Sequence, residues 1–323
     1  MEGNKVSKFR KFVRFSLFAI YLLILAGALV RVTGSGMGCP DWPRCFEQLV
    51  PPTDVSEIRP DYKEYYFRKT GHAIADFNVF HTYTEYINRL IAVGTGILGI
   101  ITTFLSFAYW KSRPTYIWVS LLILVLLGFE GWLGKLVVNT HLKSFMVTLH
   151  MFAALLILFF LIWLGLASKA ILGSYFNKNH PLTSTMAIIM LFLTLIQILL
   201  GTQVREEVER IASNHSGLNR NDWLSETGLV FYIHRSISWG MLILSWALFQ
   251  LIQKHVQLSY ITKAARLLFY TFIFQMVTGI LMNYFGIPVY AQAIHLFMGS
   301  ISFGVAAYLI LQLKPILLFN QHE

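Results

Sequence analysis

Residues 24–31 read ILAGALVR, and deep in the chain residues 198–205 read ILLGTQVR. Each string lies in an apolar run, so the first membrane-length segment has a counterpart far along the sequence. Working outward, EYINR at 85–89 pairs with FYIHR at 231–235, and LHMF at 149–152 pairs with IHLF at 294–297, at offsets of 146 and 145 residues. The first pair is spaced differently because the loop at 33–80 is longer than the loop at 205–229.

Apolar runs long enough to cross a hydrocarbon layer, about 20 residues each, fall at 14–33, 81–109, 116–138, 146–168, 184–204, 230–253, 264–285 and 289–313. They predict an all-α membrane protein of eight transmembrane helices arranged as two parallel four-helix repeats. An even number of crossings per unit makes both units enter from the same side, with a pseudo-axis along the membrane normal. The expected organisation is an N-terminal half at 1–168, a cytoplasmic linker at 169–183 and a C-terminal half at 184–323. The basic start (Lys5, Lys8, Arg10, Lys11, Arg14) followed by an apolar run has the form of a signal peptide. The repeat argues instead for a body helix.

Composition agrees. Of 323 residues, 56% are hydrophobic and 13% charged, against about a quarter charged in soluble domains, which excludes a soluble globular protein. The net charge of +10 is a topology signal. With the N-terminus inside, the cytoplasmic tails and loops hold 13 Lys/Arg against 2 acids, and the outer side holds 9 against 12, which follows the positive-inside rule. Both termini are therefore expected on the cytoplasmic side of the cell membrane, and nucleic-acid binding loses its main support.

Ten histidines in so apolar a chain are the anomaly, because an imidazole in hydrocarbon needs a partner or a task. His150, His234 and His295 lie on the fourth, sixth and eighth helices, and Asn88 holds the equivalent place on the second. At 1.5 Å per residue they sit about 8 to 15 Å below the outer surface, at one depth. Two imidazoles aimed at one plane from opposite sides suit a six-coordinate haem iron, and His234 with His295 form such a pair. Histidines at a single level favour local chemistry over electron conduction across the bilayer. Glu85, one turn before Asn88, has no acidic counterpart in the second half, where Phe231 stands. It is read either as a functional carboxylate or as one pinned by Arg89 or Arg31. Arg31, Arg205, Arg89 and Arg235 repeat in pairs near the outer ends and are candidates for haem propionates or for interfacial snorkelling.

RVTGSGMGCPDWPRCF at 31–46, EYINR at 85–89, EGWLGKLVV at 130–138, TLHMF at 148–152, FYIHR at 231–235 and AIHLF at 293–297 together resemble the haem A synthases, membrane enzymes that oxidise haem O to haem A for terminal oxidases. The resemblance runs from the first helix to the last. It implies a haem b held in the C-terminal half by His234 and His295. It implies a substrate haem O site in the N-terminal half, at Asn88, His150, Arg31 and Arg89, with Glu85 supplying protons or charge stabilisation. The implied reaction is hydroxylation of a ring methyl group and a second oxidation to a gem-diol, which loses water to leave a formyl group. Haem O synthase and an electron donor of unassigned identity are the implied partners, and homo-oligomerisation is left open.

One position departs from the family. Its motif is Glu-x-x-His-Arg, whereas this chain has Glu85-Tyr86-Ile87-Asn88-Arg89. Either His150 alone ligates the substrate iron and leaves an axial position free, or His81 on the same helical face substitutes, or the site is inactive and the protein delivers haem. A parallel-repeat transporter is the reading from a different class. Cys39 and Cys45, six apart in the outer loop, are expected to form a disulfide, as in some family members, and are too few for a metal site. The stretch 51–80 predicts a short amphipathic outer helix covering the N-terminal site. His72, His141, His180, His215, His255 and His322 are assigned no role.

Overall fold

In the computed structural model the described residues are 2–71, 73–140, 144–168, 181–214, 220, 223–256 and 258–313. His72, His141, His180, His215 and His322 lie outside them, as do residues 169–180 of the expected linker. The described residues form α1 (Glu2–Val32), α2 (Tyr62–Thr70), α3 (Val79–Ser106), α4 (Thr115–Asn139), α5 (Ser144–Ala167), α6 (Pro181–Asn214), α7 (Trp223–Glu226), α8 (Leu229–His255), α9 (Ser259–Tyr284) and α10 (Val289–Leu313), with short 3-10 turns between some of them. Eight of these are long and apolar enough to cross a membrane, one for each expected span. In hydrocarbon every backbone polar group must be satisfied within the segment, so an apolar run of this length becomes a helix.

Two expected boundaries move. The first span begins at Val6, because α1 continues through the basic tail. The fifth continues to Ala212, well past the expected end at 204. Its charged extension is supported by pairs one turn apart, Arg205 with Glu209 at 2.9 Å and Arg210 with Glu207 at 2.6 Å, which stabilise a helical surface.

The packing order is the same in both halves. α1, α3, α4 and α5 each contact the next, and α5 returns to α1; α6, α8, α9 and α10 do likewise. In each ring the second and fourth helices stand diagonally across the bundle, and they carry Asn88 and His150 in one half and His234 and His295 in the other. The seam between the halves is made by α10 against α1 and α5, and by α5 against α6. α10 is the most enclosed helix, buried almost continuously from Gly299 to Leu313. At the seam a Cβ on Gly304 would overlap the Tyr21 hydroxyl, so a larger residue there would displace the Tyr21 side chain. Leu155, Leu158, Leu161 and Leu164 of α5 complete the apolar centre, and the signal-peptide form of α1 gives way to a helix packed against three others.

Residues 33–71 and 73–78 form a cap on one end of the bundle. Cys39 and Cys45 are joined by a disulfide and pack with Phe46, Ile58, Tyr62 and Tyr66. The Phe46 ring makes edge contacts with Tyr62, Tyr66 and Phe77 at 6.0, 6.1 and 5.4 Å between centres. The predicted amphipathic helix is α2, which buries Tyr62 and Tyr66 into this cluster. The cap lies directly on the start of α3: Thr82 Oγ1 donates to the Gly38 carbonyl at 2.9 Å, and a Cβ on Gly38 would collide with the His81 carbonyl.

Candidate functional site

The second half encloses a cavity of about 660 Å3, within the range of about 300–1,000 Å3 usual for small-molecule sites. His234 from α8 and His295 from α10 line it, their ring centres 6.4 Å apart and their planes inclined at 58°. Two metal–imidazole bonds of about 2 Å, each with about 1 Å from nitrogen to ring centre, place the centres of a bis-histidine pair about 6 Å apart. The observed separation fits one iron between the rings.

Glycine makes room for both rings. A Cβ on Gly201 of α6 would stand 3.4 Å from His234 Cε1, and one on Gly279 of α9 would stand 3.8 Å from His295 Cε1. The Thr278 hydroxyl meets His295 Nδ1 at 2.8 Å, which leaves Nε2 for a ligand. Gln197 Nε2 donates to the His234 carbonyl at 2.7 Å and to Ser238 Oγ at 2.6 Å. His234 Nδ1, Gln197 Oε1 and Gln275 Oε1 are buried with no hydrogen-bond partner among the described residues. Buried polar groups are ordinarily paired, so orphaned atoms on a glycine-floored cavity mark a place built for a polar or metal-bearing occupant.

Three arginines border this cavity: Arg31, Arg205 and Arg235. Arg31 comes from the first half, one helical turn beyond Gly27, and lines the second half's cavity. Its Nη2 lies 3.1 Å from Glu209 Oε2, and the same carboxylate takes Arg205 Nε at 2.9 Å. Arg205 Nη1 also donates to Gln292 Oε1. Arg235 lies over the Phe231 and Tyr232 rings at 5.5 and 5.0 Å, a cation–π arrangement. The cationic rim matches the chemistry of carboxylate groups on a ligand.

The first half has a comparable pairing of glycines with polar side chains, with different chemistry. A Cβ on Gly27 of α1 would be 3.9 Å from Asn88 Oδ1, and one on Gly134 of α4 would be 3.9 Å from His150 Cε1. Asn88 Oδ1 is buried without a partner. His150 Nδ1 lies 2.7 Å from Glu130 Oε2. Asn88 and His150 each face a glycine of a neighbouring helix, as His234 and His295 do in the second half.

Glu85 is 3% exposed, and both its oxygens are engaged. Oε2 accepts the Cys39 backbone N–H at 3.0 Å, and Oε1 accepts Arg89 Nε at 3.1 Å. Arg89 Nη1 also donates to the carbonyls of Asp41 and Arg44 at 2.8 and 3.0 Å. The pinning that the sequence left open is therefore present, through Arg89, and the pair clamps the disulfide loop onto α3. His81 is held by Ser35 Oγ at 2.9 Å, within the cap. Glu130, Gln197, Thr278 and the four glycines are site residues that the sequence reading passed over. Gly27 and Gly201 were visible as the shared glycine of ILAGALVR and ILLGTQVR. Among the described residues no group of three or more His, Cys, Asp or Glu forms a separate metal site.

The profile of the cytochrome oxidase assembly protein family matches residues 10–307. The haem A synthase of Shewanella oneidensis is 26% identical over 225 residues, covering 67% of this chain and 63% of its own length. That of Pelagibacter ubique is 26% identical over 260 residues, 75% of this chain and 72% of its own. That of Bartonella tribocorum is 22% identical over 327 residues, 88% of each.

Proposed function

Since the chain belongs to the cytochrome oxidase assembly protein family, we propose that it is a haem A synthase, oxidising the ring methyl group of haem O to a formyl group. The observation that carries this reading is the pair His234 and His295, facing each other at 6.4 Å across a cavity floored by glycines. These residues hold a resident haem b in the second half. The first half, with Asn88 and His150, receives haem O as substrate.

Bound haem iron supplies the redox chemistry that side chains lack. The chain's own groups do the rest. Thr278 orients His295 by its hydroxyl, and Gln197 with Ser238 braces the helix at His234. Arg31, Arg205 and Arg235 meet propionates at the cavity rim. His150 would hold the substrate's iron, and Asn88, a weak iron ligand, would not compete with oxygen for it. The cap lies on the start of α3 and contacts Glu85 through the Cys39 amide. Glu85, held by Arg89 and the Cys39 amide, is placed one helical turn from Asn88 to hold or pass a proton at Oε1 or Oε2.

The protein is a multi-pass membrane protein, and the basic bias of its inner loops supports cytoplasmic termini in the cell membrane. Residues 1–168 and 184–323 are the two haem-handling halves, joined through 169–183. Haem O synthase is the partner that would hand over the substrate.

The test is extraction and chromatography of haems from cells that make haem O and express this chain. Appearance of haem A supports synthesis. Bound haem b with unchanged haem O makes the protein a carrier, and a purified protein without haem absorbance removes both readings.

A further inference from the structure

Glu130 stands on the membrane helix α4 with its side chain 12% exposed. An acid at such a place costs several kcal/mol unless it is paired or functional. One oxygen lies 2.7 Å from His150 Nδ1, a close approach without an aligned hydrogen bond, since His150 Nδ1 and the other Glu130 oxygen are both buried with no hydrogen-bond partner among the described residues. His150 is therefore the group that accounts for the carboxylate. The register that pairs LHMF with IHLF sets Glu130 against Gln275, and Gly134 against Gly279. In the second half His295 Nδ1 meets a neutral hydroxyl, Thr278, at 2.8 Å. The two corresponding histidines thus differ in what holds the ring nitrogen turned away from the ligand position.

We propose that Glu130 is a positioning residue for His150: its carboxylate, 2.7 Å from Nδ1, takes up the Nδ1 proton when the ring turns Nε2 to the substrate haem, which makes Nε2 a strongly donating ligand. The inference rests on the reading of His150 as a haem ligand in the first half. A carboxylate behind a ligating histidine fixes its tautomer and ring orientation and raises its basicity. A more basic ligand stabilises the oxidised iron, so Glu130 lowers the reduction potential of the first-half haem below what the same site would have with a neutral partner at Nδ1. With Asn88 opposite, that site has one strong axial donor and one open face. The second half has two neutral donors and no open face. Glu130 and Asn88 together make the scaffold's two copies chemically unlike.

The test uses the full-length protein loaded with haem, comparing wild type, Glu130→Gln and Glu130→Asp. Gln275 at the corresponding place shows that this position in the scaffold accommodates glutamine, and the low-spin spectrum of the second-half haem reports folding in each variant. In Glu130→Gln the iron–histidine stretch of the ferrous five-coordinate haem, read by resonance Raman, shifts to lower frequency. The midpoint potential of that haem rises while the second-half potential stays put. Glu130→Asp retains the carboxylate and moves both quantities back towards wild type. Unchanged stretch and potential in Glu130→Gln, with first-half haem still bound, overturn the proposal, as does loss of that haem in both variants. His150→Ala separates the underlying reading: if haem content and spectrum then match wild type, His150 is not a ligand and the proposal falls with it.

Discussion

The backbone N–H of Cys39 donates to Glu85 Oε2 at 3.0 Å, so the disulfide loop and the buried acid of α3 hold each other in place. A closed loop of this size contributes roughly 2 kcal/mol by restricting the unfolded chain. The double variant Cys39→Ser, Cys45→Ser should loosen the cap, and limited proteolysis should cleave within 39–60 faster than in wild type. Haem A formation should fall with it, while the spectrum of the haem held by His234 and His295 is retained.

His234→Ala and His295→Ala should each abolish the low-spin haem b signal in a reduced-minus-oxidised spectrum. Glu85→Gln should retain that signal and lose turnover. Equal loss of bound haem in all three would contradict the assignment of separate tasks to the two halves.

Gly201 leaves 3.4 Å between an added Cβ and His234 Cε1, so alanine is tolerated at the limit of contact. Valine adds two methyl groups against the ring, and overpacking of this kind costs about 1–3 kcal/mol. Gly201→Val should tilt His234 and convert the low-spin haem to a high-spin or depleted form, visible in the Soret band. Gly201→Ala should be close to wild type.

Glu209 neutralises Arg31 at 3.1 Å and Arg205 at 2.9 Å, tying the two halves together. Glu209→Gln leaves two neighbouring guanidiniums without their shared carboxylate. Partly exposed ion pairs contribute up to about 1 kcal/mol each, so the Tm of the detergent-solubilised protein should drop by a few degrees. Because salt screens the remaining repulsion, the drop should be smaller at high ionic strength.

Asn88→His restores a histidine above Gly27, as His234 stands beside Gly201. A second low-spin haem should appear on loading with haem O, detected by electron paramagnetic resonance, and haem A formation should fall because the open axial position is closed. A rise in haem A formation would show that Asn88 handicaps the site.

The legible parts of this protein were those written as local pattern. Each membrane span is a long apolar run, and the strings around Gly27 and Gly201, Asn88 and His234, and His150 and His295 announced matching positions. The apolar run ends at 204, whereas α6 continues through the charged residues to Asn214. Pairs such as Arg205 with Glu209 sustain helix through charged sequence. Glu130 carries no legible task in the sequence, because its meaning depends on His150, which arrives twenty residues later on a different helix.

By itself the sequence determined the helices, their number and the repeated positions of three histidines and an asparagine, because hydrophobic length and helical register are properties of contiguous residues. Only the tertiary structure decided which side chains meet. It set His234 and His295 6.4 Å apart, carried Arg31 to the other half's cavity, turned Glu85 onto the Cys39 amide and put Glu130 behind His150. Those pairings follow from which helices lie diagonally across each ring and from glycines that let rings and backbones approach. Such distances arise between segments far apart in the chain, and no local pattern encodes them.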